Sequence, residues 1–426
     1  MVEPAQAPPD STRAEERSAQ APPARLPSLG RRLAASALAL LLGAALWLPI
    51  LGWLHRPALL PASRGVTPQA RALVAEQLAT WTDPARRTAA IARMRAANAE
   101  WDFMGRTFLV LALCNLAERD PDERARCLEA VDAILAATLA LEAERGHTVF
   151  LLPYGSQGRF RYQPPDDPTR RQSLFVDGEI ALMLAARRLV AERADYQALL
   201  AERVARIEHQ LQAGPLLCGE SYPDECWLFC NAAALAALRL SDALEGSDHR
   251  PLCAAWVRRA KERLVHAQTG LLVSSFTLEG KVRDGPEGSS IFMAAHCLRL
   301  VDPELARDQY LRARAELARG ALGFAWAREW PASWTGPRDI DSGPVVPLLE
   351  ASPSASGLAL LGAASFGDRE LLAGLMASLE LGAVPLREGG RLRYAASNQV
   401  GDAVMLLALL QGPLWEKAGA PAEEVQ

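Results

Sequence analysis

The densest chemistry in this sequence lies in eleven residues, SYPDECWLFCN, Ser221 to Asn231. They carry two carboxylates (Asp224, Glu225), two cysteines (Cys226, Cys230), Tyr222 and Trp227, and run directly into the apolar stretch AAALAALRL. Acids or polar groups stand in the same relation to other apolar runs. Asp102 and Arg106 lie in WDFMGRTF, Asp177 and Glu179 in LFVDGEIA, Glu287 and Ser289 in DGPEGSS, Asp339 and Asp341 in PRDIDSGP, and Asn398 and Asp402 in SNQVGDA. Carboxyl groups can move protons, and burial keeps one neutral near pH 7 so that it can donate. Two of them facing across a gap are also the machinery of glycoside cleavage. Aromatic side chains close by, Tyr154, Phe175, Trp330, Trp334 and Tyr394, could wall an apolar pocket or stack on a sugar ring. Taken singly, each acid reads as a helix cap or a first-turn charge that suits the helix dipole. The functional reading rests on their recurrence at the same place in successive segments. It selects Asp102, Glu179, Asp224, Glu225, Cys230 and Asp341 as catalytic candidates. Tyr154, Phe175, Tyr222, Trp227, Asp339, Trp334 and Tyr394 are the candidates for holding a substrate.

The elements that must position these residues are helices. From residue 67 onward apolar residues recur at three and four through twelve segments, the ninth of them RDQYLRARAELARGALGF, 307–324. The segments alternate in character. Those at 109–117, 231–240, 357–366 and 403–410 are apolar nearly all round, whereas 122–143, 196–212, 253–267 and 306–319 carry Arg and Glu along one face. A helix that is apolar all round must be covered on every side, and an amphipathic one can cover it. GRFRY (158–162), GKVRD (280–284) and GRLRY (390–394) each follow an extended stretch and precede an apolar run, so a unit of outer helix, short β-hairpin and inner helix repeats. The expectation is an all-α fold, an (α/α)6-type toroid with short hairpins between helices. It forms one domain from 67 to 418, whose inner-helix starts converge on a central funnel that takes a small-molecule substrate.

Ahead of it, residues 1–30 are rich in Pro, Ala and charge and read as a disordered tail, as do 419–426. Leu33 to Leu54 holds no charged residue and is long enough to cross a bilayer, with Trp47 and Trp53 near its far end. Arg25, Arg31 and Arg32 precede it and Arg56 and Arg64 follow it, which favours a cytoplasmic N-terminus and a body outside the cytoplasm, at the inner membrane. A cleaved signal peptide is the rival reading, and it would have a shorter apolar region.

The net charge of −4, with basic and acidic residues interleaved along helical segments, gives no reason to expect nucleic acid. No zinc-binding, phosphate-loop or nucleophile-elbow motif appears, so no metal or cofactor is expected. None of the seven cysteines forms a C-x-x-C pair, and most read as small core residues. A homo-oligomer is left open.

YPDECWLFCN, FVDGEIALML and WDFMGRTF together resemble the linalool dehydratase/isomerase family. The resemblance sets Pro223, Asp224, Cys230 and Asn231 on one family stretch, Gly178, Glu179, Met183 and Leu184 on another, and Asp102 on an early aspartate. Ser221 stands where the family pattern has a cysteine, Tyr222 where a glutamate, Glu179 where a histidine and Phe108 where a tyrosine. The resemblance implies an extracytoplasmic toroid that acts as a lyase or isomerase on an apolar alcohol or alkene. Asp102 and Glu179 would move protons while Cys230 and aromatic residues shape the pocket. The alternatives are a carbohydrate-active hydrolase, with its carboxylate pair drawn from Glu179, Asp224, Glu225, Asp339 and Asp341, and a binding toroid without chemistry.

Overall fold

The structure, a computed structural model, describes residues 28–54, 65–156, 172–338 and 343–420. Asp339, Asp341 and the stretch GRFRY lie outside the described residues, as do Arg25, Arg56 and Arg64. The N-terminal helix α1 covers Leu29–Leu54, so Arg31 and Arg32 belong to its first turns and it starts earlier than the apolar run. It is the one helix among the described residues long and apolar enough to cross a membrane. That length and composition also fit a signal sequence.

The body is built from α2 (Pro68–Thr82), α3 (Pro84–Ala97), α4 (Ala99–Arg119), α5 (Arg124–Arg145), α6 (Leu174–Val190), α7 (Ala194–Ala213) and α8 (Leu228–Glu245). It continues with α9 (Arg250–Arg263), α10 (Gly288–Leu298), α11 (Pro303–Glu316), α12 (Pro353–Ser365), α13 (Arg369–Gly382), α14 (Gln399–Leu410) and the short α15 (Pro413–Lys417). Helices α4, α6, α8, α10 and α12 each pack on the next even-numbered helix, and α14 packs back on α4. This closed circuit is the inner wall of an (α/α)6 toroid. Helices α2, α5, α7, α11 and α13 each pack on inner helices from outside, and α9 extends the same alternation of inner and outer helices along the chain.

The two layers follow from the two patterns of sequence. Every residue of α8 from Leu228 to Leu238 is buried, and each large apolar side chain so covered contributes roughly 1.5–3 kcal/mol. Small residues let the inner helices approach closely: a Cβ on Gly178 of α6 would stand 3.1 Å from the Cβ of Ala234 on α8. Outer α7 instead buries one stripe, Tyr196, Leu200, Arg203, Ile207 and Gln210, at helical spacing. Caps start the helices where the sequence offers them. The Thr67, Asp83, Asn98, Asp302, Ser352, Asp368 and Asn398 side chains accept from first-turn amides, and proline opens α2, α3, α11 and α12.

The strands lie in the connections that run from outer to inner helices. β1 (Cys226–Trp227), β2 (Ser275–Phe276) and β3 (Val282–Asp284) form one antiparallel sheet. β4 (Ala318–Ala321) pairs with β5 (Phe324–Ala327), and β6 (Pro385–Glu388) with β7 (Arg391–Tyr394). Connections of this class all open onto inner-helix starts, so that end of the toroid carries the polar loops. The hairpins expected at 280–284 and 390–394 are therefore present. The helix expected over 307–324 is not continuous: it stops at Glu316, and the rest turns back on itself as β4–β5. Leu322 (φ 56°) and Gly323 (φ 87°) take the left-handed conformation that the tight turn requires.

Candidate active site

The starts of α4 and α6 each carry two acids, two residues apart. Two residues rotate a helix by about 200°, so each pair splits onto opposite faces. On α6, Asp177 faces the outer layer. It accepts from Arg203 Nη1 at 2.6 Å and from Gln210 Nε2 at 2.7 Å, both on α7. On α4, Asp102 likewise accepts from Arg106 Nη2 at 2.7 Å, and Arg95 of α3 stands 3.5 Å away. Arg106 in turn donates to Thr138 of α5 and lies over the Trp81 ring of α2. Asp102, expected from sequence to move protons, is thus held in an arginine pair on the outward face.

The partners of these two acids turn the other way. Glu179 is 1 % exposed, and neither of its carboxyl oxygens has a hydrogen-bond partner among the described residues. Burial pushes its pKa up to about 8; the Thr107 hydroxyl of α4 pulls it back, and the Glu100 carboxylate raises it further. The Thr107 oxygen has no partner of its own within bonding geometry, so its hold on Glu179 is weak. Glu179 also lies within electrostatic reach of Cys230 on α8 and Cys297 on α10. A carboxyl felt by α4, α8 and α10 points to the inside of the ring. Glu100 accepts from the Tyr222 hydroxyl at 3.3 Å. Glu100 and Thr107 are seven residues apart and share one face of α4. Sequence reasoning passed over Glu100 for Asp102, although that spacing was there to be read.

The stretch that carries Tyr222 is a turn. Glu225 N donates to Tyr222 O at 3.0 Å, with Pro223 next and Asp224 at φ 63°, the position after proline where a type II turn calls for a positive φ. The turn holds Tyr222 inward and leaves Asp224 exposed, its amide donating to Glu220 and its carbonyl accepting from Arg283. The Tyr222 oxygen accepts from Leu152 N at 2.9 Å, and its ring stacks on Tyr154 with centroids 4.5 Å apart. Burial pushes the phenol above its ordinary range, so it stays a donor. Glu225 accepts from Ser275 at 2.9 Å across the β1–β2 pairing. Burial pushes the Cys230 thiol well up, with the Ser221 hydroxyl opposing it, so sulfur is a neutral, soft wall rather than a thiolate. All seven cysteines are free and buried.

Glu100, Glu179, Tyr222, Tyr154, Glu225 and Cys230 thus form one neighbourhood between α4, α6 and α8. Trp227 borders it, its amide donating to Ser221. Phe175 lies under it in an aromatic cluster, its ring centroid 5.2 Å from Phe103. Two other expected residues are elsewhere. Tyr394 faces outward, accepting from Gln69 of α2 at 2.7 Å and donating to Glu380 of α13. Trp334 covers Gly285 and meets His266 edge to face at 5.5 Å. On the opposite side of the ring Asp284 and Glu287 are buried, and so is Glu329, which sequence reasoning did not single out. It accepts from the Ser289 amide and hydroxyl and from Ser352, which fastens α10 to α12. Glu179 and Cys230 are closed from solvent, whereas Glu100 is half-buried and Tyr154 exposed. A cleft of about 670 Å³ opens away from it, between α2, α3 and the residues around Asn398. The acid chemistry at the ring interior, not that volume, marks the candidate active site. Among the described residues no three His, Cys, Asp or Glu side chains gather as a metal-ligand set.

Fold and site together define an α/α toroid with a buried, unpaired carboxylic acid at its inner wall. The sequence model of the family described as linalool dehydratase/isomerase matches residues 177–400, more than half of the chain. The chain belongs to that family. The match takes in Glu179, Tyr222, Glu225 and Cys230. Among solved structures the chain is similar to the unsaturated glucuronyl hydrolase of Bacillus sp. GL1, at 15% identity over 74% of this chain and 86% of that one, with TM-score 0.47. It is similar to a family 105 glycoside hydrolase of C. acetobutylicum at 10% identity over 82% and 98%, TM-score 0.47. A comparison with curated proteins gives no match.

Proposed function

We propose that the protein is a membrane-anchored lyase or isomerase of apolar alcohols or alkenes, with Glu179 as its proton donor. The observation that carries this is the state of Glu179: buried, without a partner, and held neutral at physiological pH by burial. An acid of that kind can protonate a hydroxyl. The C–O bond then breaks and water leaves; the neighbouring carbon gives up a proton, and the electron pair of that C–H bond becomes the new double bond. Glu100, kept in place by Tyr222, is the nearest carboxylate able to take that proton. Return of water at another carbon gives an isomerised alcohol. Cys230, Phe229 and Phe175 would offer the substrate an apolar wall and no nucleophile. Helix α1 would hold the toroid at a membrane, where apolar alcohols partition, with the N-terminus cytoplasmic and the body outside.

The test is product analysis with the full chain in detergent, offered a terpene alcohol in one arm and an aryl glycoside in the other. Loss of water or a shifted hydroxyl from the alcohol, with a drop of roughly 100-fold or more in Glu179→Gln, is the expected result. Hydrolysis of the glycoside alone would move the protein to the carbohydrate-active reading. An unchanged rate in Glu179→Gln would remove that residue from any mechanism.

A further inference from the structure

The cleft of about 670 Å³ outside the ring has a chemistry of its own. One wall is α3, with Arg86, Arg93 and Met94; another is α2, with Glu76 and Thr80; the third is Arg393 of β7 with the turn into α14, ending at Asp402. The charges in it are not balanced. Arg86 pairs with Glu76 at 2.8 Å, and Arg391 stands 3.7 Å from the same carboxylate. Arg93 and Arg393 are exposed and have no acidic partner within ion-pair distance among the described residues. Asp402, in the first turn of α14, is 8 % exposed, and its Oδ1 is buried without a hydrogen-bond partner. Two guanidiniums without an ion-pair partner and a carboxyl with one orphaned oxygen thus line one hollow together with Met94 and Ala90. None of these groups belongs to the Glu179 cluster.

We infer that this cleft is a second ligand site, which takes a small oxyanion, a sulfate, phosphate or carboxylate group, between Arg93 and Arg393 with the Asp402 carboxyl as a hydrogen-bond donor to it. Guanidiniums present paired donors that match oxyanion geometry. A carboxyl can join them only while it keeps its proton. Burial raises the Asp402 pKa to about 7; the Ser397 hydroxyl, the Tyr394 backbone and Arg393 oppose the rise, and Glu76 adds to it. Below that value Asp402 donates to the anion, and above it the carboxylate repels it. The charged groups that line the cleft with Asp402 are Glu76 from α2, Arg86 and Arg93 from α3, and Arg393 from β7. Glu76 is paired with Arg86, and the change in binding between pH 6 and 8 is assigned to Asp402.

Titration calorimetry of the full chain in detergent with sodium sulfate, whose charge is fixed over this range, tests the site. Saturable binding at pH 6, weakened roughly tenfold or more in Arg393→Gln and in Arg93→Gln, is the expected result. Both arginines are exposed, so neither change should disturb folding. In the native chain the affinity falls from pH 6 to pH 8, and in Asp402→Asn it does not. Absence of binding, or binding indifferent to both arginine changes, overturns the site. An equal fall with pH in Asp402→Asn overturns the role given to that carboxyl.

Discussion

The two faces of α6 carry the same functional group to opposite ends. Asp177 and Glu179 are both buried, at 2 % and 1 % exposure, and only two residues apart. Asp177 looks outward into Arg203 and Gln210; Glu179 looks inward at a hydroxyl, a carboxylate and thiols. The first is a charged rivet between layers. The second is pushed towards its neutral form by burial, with only the Thr107 hydroxyl opposing and no counter-charge beside it. The start of α4 is divided in the same way, with Asp102 in an arginine pair and Glu100 on a tyrosine. Burial alone therefore does not mark a catalytic acid. What marks one is burial without a counter-charge, on the side where the helices converge.

That contrast can be broken at either end. The largest effect is expected from Arg203→Ala, which removes the nearer arginine from Asp177, leaving Arg206 at 3.5 Å, and takes the arginine from Glu142 at the same time. Removing one member of a buried pair costs about 3–5 kcal/mol, so the midpoint of chemical denaturation should fall sharply at neutral pH. Glu179→Gln should act in the opposite direction on stability. A carboxyl whose folded pKa is raised keeps its proton longer in the folded chain, so the native protein loses stability as pH rises from the ordinary glutamate value to about 8. The glutamine variant has no such loss. It should match the native protein near pH 4.5 and exceed it progressively towards pH 8, by up to roughly 4 kcal/mol in denaturation curves at a series of pH values. The smallest change is Tyr222→Phe. It removes the donor to Glu100 and leaves Leu152 N without its acceptor, for a loss of about 1–3 kcal/mol. In kinetics it should lower the rate with the alcohol substrate and leave the stability contrast between Asp177 and Glu179 intact.

Much of this fold could be read before any coordinates. The alternation between all-apolar and one-faced helices is a direct imprint of inner and outer layers, and each of the twelve segments holds a helix of the body. The helix α3 was missed because PARRTAAIARMRAA has few apolar residues and buries only Ala90 and Met94. The β4–β5 hairpin was hidden in a run of helix-favouring Arg and Ala, and only Gly320 and Gly323 betrayed it. For the site, position along the chain was legible and direction was not. The acids at inner-helix starts could be located from their spacing; which face each one took depended on where an arginine waited in the next layer. Hence Glu179 stood out, Asp102 displaced Glu100, and Tyr394, placed near an inner helix start, turned outward to Glu380.

The proposed chemistry requires Glu179 to be a neutral acid in the folded protein. The direct measurement is infrared difference spectroscopy of the native chain against Glu179→Gln across pH. A protonated-carboxyl C=O band should be present in the native chain at pH 6, persist at pH 7, fade around pH 8 and be missing from the variant at every pH. A carboxylate band assigned to Glu179 already at pH 6 would contradict the claim, and the proton donor would then have to be sought elsewhere in the ring.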